Sequence, residues 1–206
     1  TASEGGDDTY NLALGFCSDC GIVQLTKRMP VAAIRPRYDW LLYNEPEGHL
    51  DDVVSNLLML PGLGQNSRLL GTTYKDESTL ARLEKLGMPG TACIQEDDLG
   101  ELPRPFGLET IQEKLQDVGT LSTLKQKYGE VDMLIVRHII EHASSAKNLL
   151  KNMSGLLKPG GYIVLDIPDS EHIFQAGNHG FIWEEHISYF TESAIHKIAS
   201  SAGAEV

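Results

Sequence analysis

The chain has 206 residues, 41 % of them apolar, so it can bury one good core with room for a small appendage. Its 17 Lys and Arg against 29 Asp and Glu leave a formal charge of −12, which argues against a nucleic-acid backbone or an anionic membrane surface as partner and favours a small-molecule substrate. No apolar run approaches the roughly 18 residues of a membrane span, no signal-peptide pattern opens the chain and its cysteines make no disulfide framework, so a soluble cytoplasmic protein is expected.

Taken in order, Thr1 to Thr9 is polar and acidic and reads as a mobile lead-in. From Tyr10 to Leu25 short apolar runs alternate around Cys17-Ser18-Asp19-Cys20-Gly21, as in a β-ribbon carrying a metal knuckle. Two thiolates at this spacing can share one tetrahedral ion, but a closed site needs four ligands. Cys17 and Cys20 are therefore read as half of a zinc site or, equally, as a reduced metal-free pair. Met29 to Asn44, with Pro30, Arg35, Pro36, Arg37, Tyr38 and Trp40, is irregular and reads as a connector. Leu50, Val53, Val54, Leu57 and Leu58 then form one stripe of a helix from Glu47 to Leu60, broken by Pro61-Gly62.

Ser67 to Thr73 reads as a strand and Asp76 to Leu86 as its helix, with Asp76 capping and Leu80, Leu83 and Leu86 inward. A second strand from Thr91 to Gln95 runs into Glu96, Asp97 and Asp98. Helices follow over Leu108–Leu115 and Thr120–Tyr128, with no convincing strand up to Gly129. Val131 to Val136 is apolar except for Asp132, the pattern of a strand covered on both faces. After a polar elbow, Ala146, Leu149, Leu150, Met153, Leu156 and Leu157 line one face of a helix that Ser144 or Ser145 can cap. Lys158-Pro159-Gly160-Gly161 is expected to end that helix, before a strand from Tyr162 to Ile167. The pattern predicts an α/β fold, a Rossmann-like, doubly wound, mostly parallel sheet with right-handed crossovers. Ligands of such sheets sit at the carboxyl ends of the strands, where Arg137, His138, Glu141, His142, Asp166 and Asp169 fall. Thr191 caps a last helix with Ala194, Ile195, Ile198, Ala199 and Ala202 inward. Gly203 to Val206 reads as the start of a further strand, so the chain is expected to be a fragment of a longer protein.

The strand, the His138-Ile139-Ile140-Glu141-His142 elbow and the Leu157–Gly161 turn resemble the second half of the class I S-adenosylmethionine-dependent methyltransferases. Trp183-Glu184-Glu185-His186-Ile187-Ser188-Tyr189-Phe190 is similar to a tail segment of the bacterial sugar C-methyltransferases, and Phe16 to Leu25 resembles half of their N-terminal zinc module. The resemblance implies two parts: residues 1–45, a partial zinc-knuckle region and connector, and residues 46–206, a methyltransferase domain truncated at its C-terminus. It implies S-adenosyl-L-methionine as cofactor, held by the turn Gly71, Thr72, Thr73 and Asp76, by Glu96 or Asp97 on the ribose, and by the elbow residues Arg137, His138 and His142. Only Gly71 matches the family's glycine-rich turn, since Tyr74 and Lys75 stand where small residues are expected. By the same resemblance His186 is a base that removes a proton beside a ketone, making an enolate that attacks the cofactor's methyl group. Glu185 is its neighbour and Tyr189 a further catalytic candidate. The substrate implied is a small molecule such as a nucleotide-linked keto-sugar. Trp183 and Glu184 replace a Tyr and a His of the family segment.

Three other readings stand beside this one. A methyltransferase-like domain serving binding or assembly without catalysis would suit the degenerate turn. A different nucleotide-binding enzyme is disfavoured because no Gly-x-Gly-x-x-Gly is present. His138-x-x-Glu141-His142 also matches the pattern of inverted zinc peptidases. On the end of a strand, however, the two rings are expected to diverge, and no third ligand is evident.

Overall fold

The computed structural model describes residues 10–34, 46–102 and 107–206. The expected lead-in and the connector residues Arg35, Pro36, Arg37, Tyr38 and Trp40 lie outside them. An antiparallel ribbon of β1 (Leu14–Phe16) and β2 (Val23–Leu25) is followed by α1 (Val31–Ile34) and α2 (His49–Leu57). Next come β3 (Leu69–Gly71), α3 (Glu77–Lys85), β4 (Thr91–Cys93), α4 (Leu108–Leu115) and α5 (Val118–Tyr128). The chain continues through β5 (Val131–Arg137), α6 (Ala146–Ser154), β6 (Leu157–Asp166), α7 (Ser170–Gln175), β7 (Ser188–Tyr189) and α8 (Glu192–Ser201).

Strands β4, β3, β5 and β6 form, in that order, a parallel sheet flanked by helices, the Rossmann-like arrangement expected. The unbroken apolar run of β5 follows from burial on both faces. Leu134 and Val136, with Leu70 of β3, pack against Leu115 of α4, Leu124 of α5, Leu149 and Met153 of α6 and Ile198 of α8. Met133 and Ile135, with Leu69, pack the other way, onto Val54 and Leu57 of α2 and Leu80 and Leu83 of α3. Side chains alternate across a strand, so each successive residue of β5 meets a different helical layer. Asp132, the interruption in the run, accepts the Arg68 backbone N–H at 2.8 Å and pairs with Lys158 at 2.8 Å, at the strand's starting edge.

The ribbon joins the tail directly: β2 pairs antiparallel with β7, placing Val23 opposite Tyr189 and Gln24 opposite Ser188. Thr191 caps α8 by accepting the Ala194 N–H, and Ser145 caps α6 by accepting that of Asn148, so of the two serines it is Ser145 that serves.

Four local expectations are corrected. α6 ends at Ser154, and Lys158 to Gly161 lies within β6. Between Val131↔Leu157 and Met133↔Tyr162 the β6 side advances five residues against two, so the Pro-Gly-Gly turn bulges out of the strand, with Gly160 at φ +76°. Leu157 is consequently a strand residue. Leu86 is 50 % exposed because α3 ends at Lys85 and the chain turns away. Residues 203–206 form no strand. Among the described residues no helix is long and apolar enough to cross a membrane.

Leu134→Ala, in a side chain with no exposure, is expected to cost about 2–5 kcal/mol, and Leu86→Ala to stay within about 0.5 kcal/mol, both read from urea midpoints. Equal losses would contradict the two-layer core.

Candidate functional site

At the carboxyl end of β3 the turn closes on a single carboxylate. Asp76 is fully buried, and one of its oxygens accepts the Thr72 N–H at 2.6 Å, the Thr72 hydroxyl at 2.9 Å and the Thr73 N–H at 3.0 Å. The other accepts the Arg137 N–H of β5 at 3.0 Å. Burial pushes the Asp76 carboxyl up to about 6 against the pull of these donors. The expectation that Asp76 caps the following helix is therefore corrected: at the head of α3 its side chain makes no capping bond to that helix and turns back to the strand ends. A Cβ on Gly71 would lie 2.8 Å from Asp76 Cβ and 2.9 Å from a Leu80 methyl, so glycine is required here by the chain's own packing.

Beyond β4, Glu96 and Asp97 are exposed on a 3-10 turn, while their neighbour Asp98 is held by Lys127 and Tyr128. Arg137, at the end of β5, is 2 % exposed and works as a clamp. Its guanidinium donates to Asp166 of β6 at 2.8 Å, to Glu47 at 3.0 Å and to the Ser78 hydroxyl at 3.1 Å. His49 also reaches Asp166, at 3.3 Å. Asp169 caps α7 by accepting the His172 N–H.

The elbow then reverses the chain. His138 has φ +54°, the one positive value of a non-glycine residue among those described. The turn Ile140–His142 is a 3-10 helix, so the two histidines of the peptidase pattern do not share an α-helical face. The tail segment lies over this turn, held by the Ile187 N–H donating to the Glu141 carbonyl at 2.8 Å. His142 Nδ1 sits 3.0 Å from the Glu185 carbonyl, and the His142 and His186 rings meet edge-on at 4.9 Å. Trp183, Phe181 and Tyr189 surround His186 at centroid distances of 5.0, 6.3 and 6.1 Å. Tyr189 is buried, and its hydroxyl is engaged by the Trp183 backbone.

The electrostatics divide this group. Burial, then the nearby His142, pushes His186 down to about 4, and burial also lowers His142. Glu185 is half-buried, and burial followed by the carboxylates of Glu109 and Glu184 pushes it up to about 7. The elbow and the tail are thus brought together at one edge, whereas the turn after β3 is engaged internally and, of the acids after β4, Glu96 and Asp97 are exposed. Sequence reading missed Glu109, buried in the first turn of α4, because an acid at a helix start is an ordinary solvated feature. It also missed Glu47 as the partner of Arg137, since only the fold brings them together.

Cys17 and Cys20 occupy the turn between β1 and β2, where the Gly21 N–H donates to the Cys17 carbonyl at 2.8 Å. Among the described residues no His, Cys, Asp or Glu joins them in a three-ligand group.

Residues 78–206 match a family model described as a methyltransferase domain. No curated protein matches the chain.

Because Gly71 is packed against its own helix, Gly71→Ala is expected to cost about 1–3 kcal/mol with no ligand present. Asp76→Asn, which turns an amide N–H₂ toward one set of donors, is expected to cost about 2–4 kcal/mol. Thermal unfolding of the two variants checks both, and unchanged midpoints would contradict the closed turn.

Proposed function

The chain belongs to the methyltransferase-domain family, and on that premise we propose that it methylates carbon in a small carbonyl-bearing acceptor, with the proton removed by the tail segment. The observation that carries this reading is the tail laid over the β5 elbow, where Glu185 and His186 meet Glu141 and His142 at the ligand-binding edge of the sheet. Rings on several sides enclose His186, while Glu185 is only half-buried, so Glu185 is the member of the pair that an acceptor can reach. We assign Glu185 to accept the proton from the carbon beside the acceptor's carbonyl. The electron pair left behind delocalises onto the carbonyl oxygen as an enolate.

S-adenosylmethionine is the methyl source that the family implies, and when bound it supplies an electrophilic methyl group on a sulfonium. The residues present fit its nucleoside half: Glu96 and Asp97 stand exposed at the end of β4, where a carboxylate can accept from ribose hydroxyls. They do not fit its methionine half at the turn after β3, whose buried N–H and hydroxyl groups are taken up by Asp76.

A cleft of about 480 Å³ opens beside the carboxyl end of β6, lined by Asp169, Glu171, His172, Gln175, Thr191 and Glu192 among others. Its lining mixes these polar groups with Ile167, Pro168, Phe190 and Ile195 and reaches the tail segment at Phe190, a mixture that supports a hydroxyl-bearing acceptor such as a sugar. A diphosphate would meet Asp169, Glu171 and Glu192, so the sugar end of any nucleotide-linked substrate is the part suited to it. Zinc at Cys17 and Cys20 remains a half-site that needs ligands from elsewhere. A second reading, a domain that binds or assembles without catalysis, is favoured by the closed turn after β3.

Calorimetric titration with S-adenosylhomocysteine, paired with a radiolabelled methyl-transfer assay over keto-sugar acceptors, decides between the two. Binding is expected, with Glu185→Gln retaining it and losing about 10²–10⁴-fold in turnover. Full turnover by Glu185→Gln would remove the assigned role, and folded protein that binds no adenosyl compound would favour the second reading.

A further inference from the structure

Glu141 is 2 % exposed, and among the described residues neither of its carboxylate oxygens accepts a hydrogen bond. A buried carboxylate left in that state costs several kcal/mol, so its charge needs a compensating partner. His138 Nδ1, 3.5 Å from one oxygen, supplies charge only when protonated. Two other imidazoles converge on the same point. Ligand atoms of Glu141, His142 and His186 all lie within 4.8 Å of one another, the one group of three such residues among those described.

The tautomer of His142 is set by its surroundings. Its Nδ1 faces the Glu185 backbone carbonyl at 3.0 Å, and a carbonyl only accepts, so Nδ1 carries the proton. The Nε2 lone pair is then left for another ligand, the arrangement that an outer backbone carbonyl imposes on metal-binding imidazoles. The Ile187 to Glu141 backbone bond fixes the tail so that His186, 7 % exposed, stands against His142. All three side chains are buried, Glu141 and His142 on the 3-10 turn after β5 and His186 on the tail that the Ile187 backbone bond holds against it.

We infer that Glu141, His142 and His186 form a binding site for a divalent first-row transition cation, with two imidazole nitrogens and one carboxylate as ligands and a position left open. Nitrogen donors select zinc-like or iron-like ions over magnesium and calcium, which take oxygen ligands. Bonds of about 2.0–2.2 Å put tetrahedral ligand atoms roughly 3.4 Å apart, so loading draws the three side chains together by about an ångström. The site differs from the peptidase pattern, because His142 converges with His186 and Glu141 is a ligand. The cation compensates the Glu141 charge, and the open position can take a water or an acceptor oxygen. Cation binding at this site does not depend on the methyl-transfer reading.

The test is a titration of the chelator-stripped full chain with cobalt(II), in a Cys17→Ser, Cys20→Ser background that removes the thiolate pair as a competing site. One equivalent is expected to bind, with the visible d–d absorption of a four- or five-coordinate ion and no thiolate charge-transfer band. Glu141→Gln, nearly isosteric and free of the buried charge, is expected to fold and to bind cobalt about 100-fold more weakly or not at all. His186→Ala is expected to lose the spectrum as well. Failure of the double-serine protein to bind cobalt, or unchanged affinity in folded Glu141→Gln, would overturn the inference, and a misfolded His186→Ala would leave the glutamine variant to decide. No S-adenosyl compound is present, so a failed methyl-transfer assay and a failed cobalt titration are separate outcomes.

Discussion

One carboxylate, that of Asp76, joins the two strand ends on which the edge of the sheet is built. It gathers both N–H groups and one hydroxyl of the Thr72-Thr73 turn and also takes the first amide beyond the central strand's apolar run, that of Arg137. In a low-dielectric interior a carboxylate is tolerated only when donors surround it, so the four donors and the burial come together. With its backbone fixed in this way, Arg137 reaches across the edge to Glu47, Ser78 and Asp166. The clamp ties the segment leading into α2 to the end of β6. Severing one member of such a network leaves buried charges without partners.

The closure has a chemical consequence. A turn whose donors are already used offers little to a ligand, and the glycine within it is surrounded by Asp76 and Leu80. The Glu141 carboxylate, whose oxygens accept no hydrogen bond among the described residues, lies one strand over, at the elbow after β5, where His138 takes a left-handed conformation. A non-glycine residue in that region persists only when its surroundings hold it there. Here the tail's backbone bond to Glu141 and the ring packing of His142 on His186 lie beside it. The N-terminal ribbon supports the same assembly from outside by pairing β2 with the Ser188-Tyr189 strand.

Much of this was legible in the sequence where one periodicity dominated. The apolar run of β5, the stripe of α6 and the Thr191 cap each dictate local structure without help from distant residues. The β-ribbon around the Cys pair was read for the same reason. Long-range pairings were not legible: Glu47 with Arg137, and Glu141 and His142 with His186, are separated in sequence and share no spacing rule. Asp76 was misread because an acid before an amphipathic helix is ordinarily its cap, and only the proximity of β5 turns it backward. The Pro-Gly-Gly turn was read correctly as a turn but placed between elements, since a bulge within a strand has the same local composition as a loop.

The turn after β3 is closed by its own carboxylate, and the proposal that follows is that an adenosyl ligand meets the ends of β4 and β5 instead. Mapping backbone amide shifts of the isotopically labelled protein on addition of S-adenosylhomocysteine tests it most directly. Perturbations are expected at Glu96, Asp97 and His138, with the Thr72, Thr73 and Arg137 amides unshifted and still protected from exchange. Large shifts at Thr72 and Thr73 with loss of their protection would contradict it, because they would mean that the ligand displaces Asp76 and opens the turn.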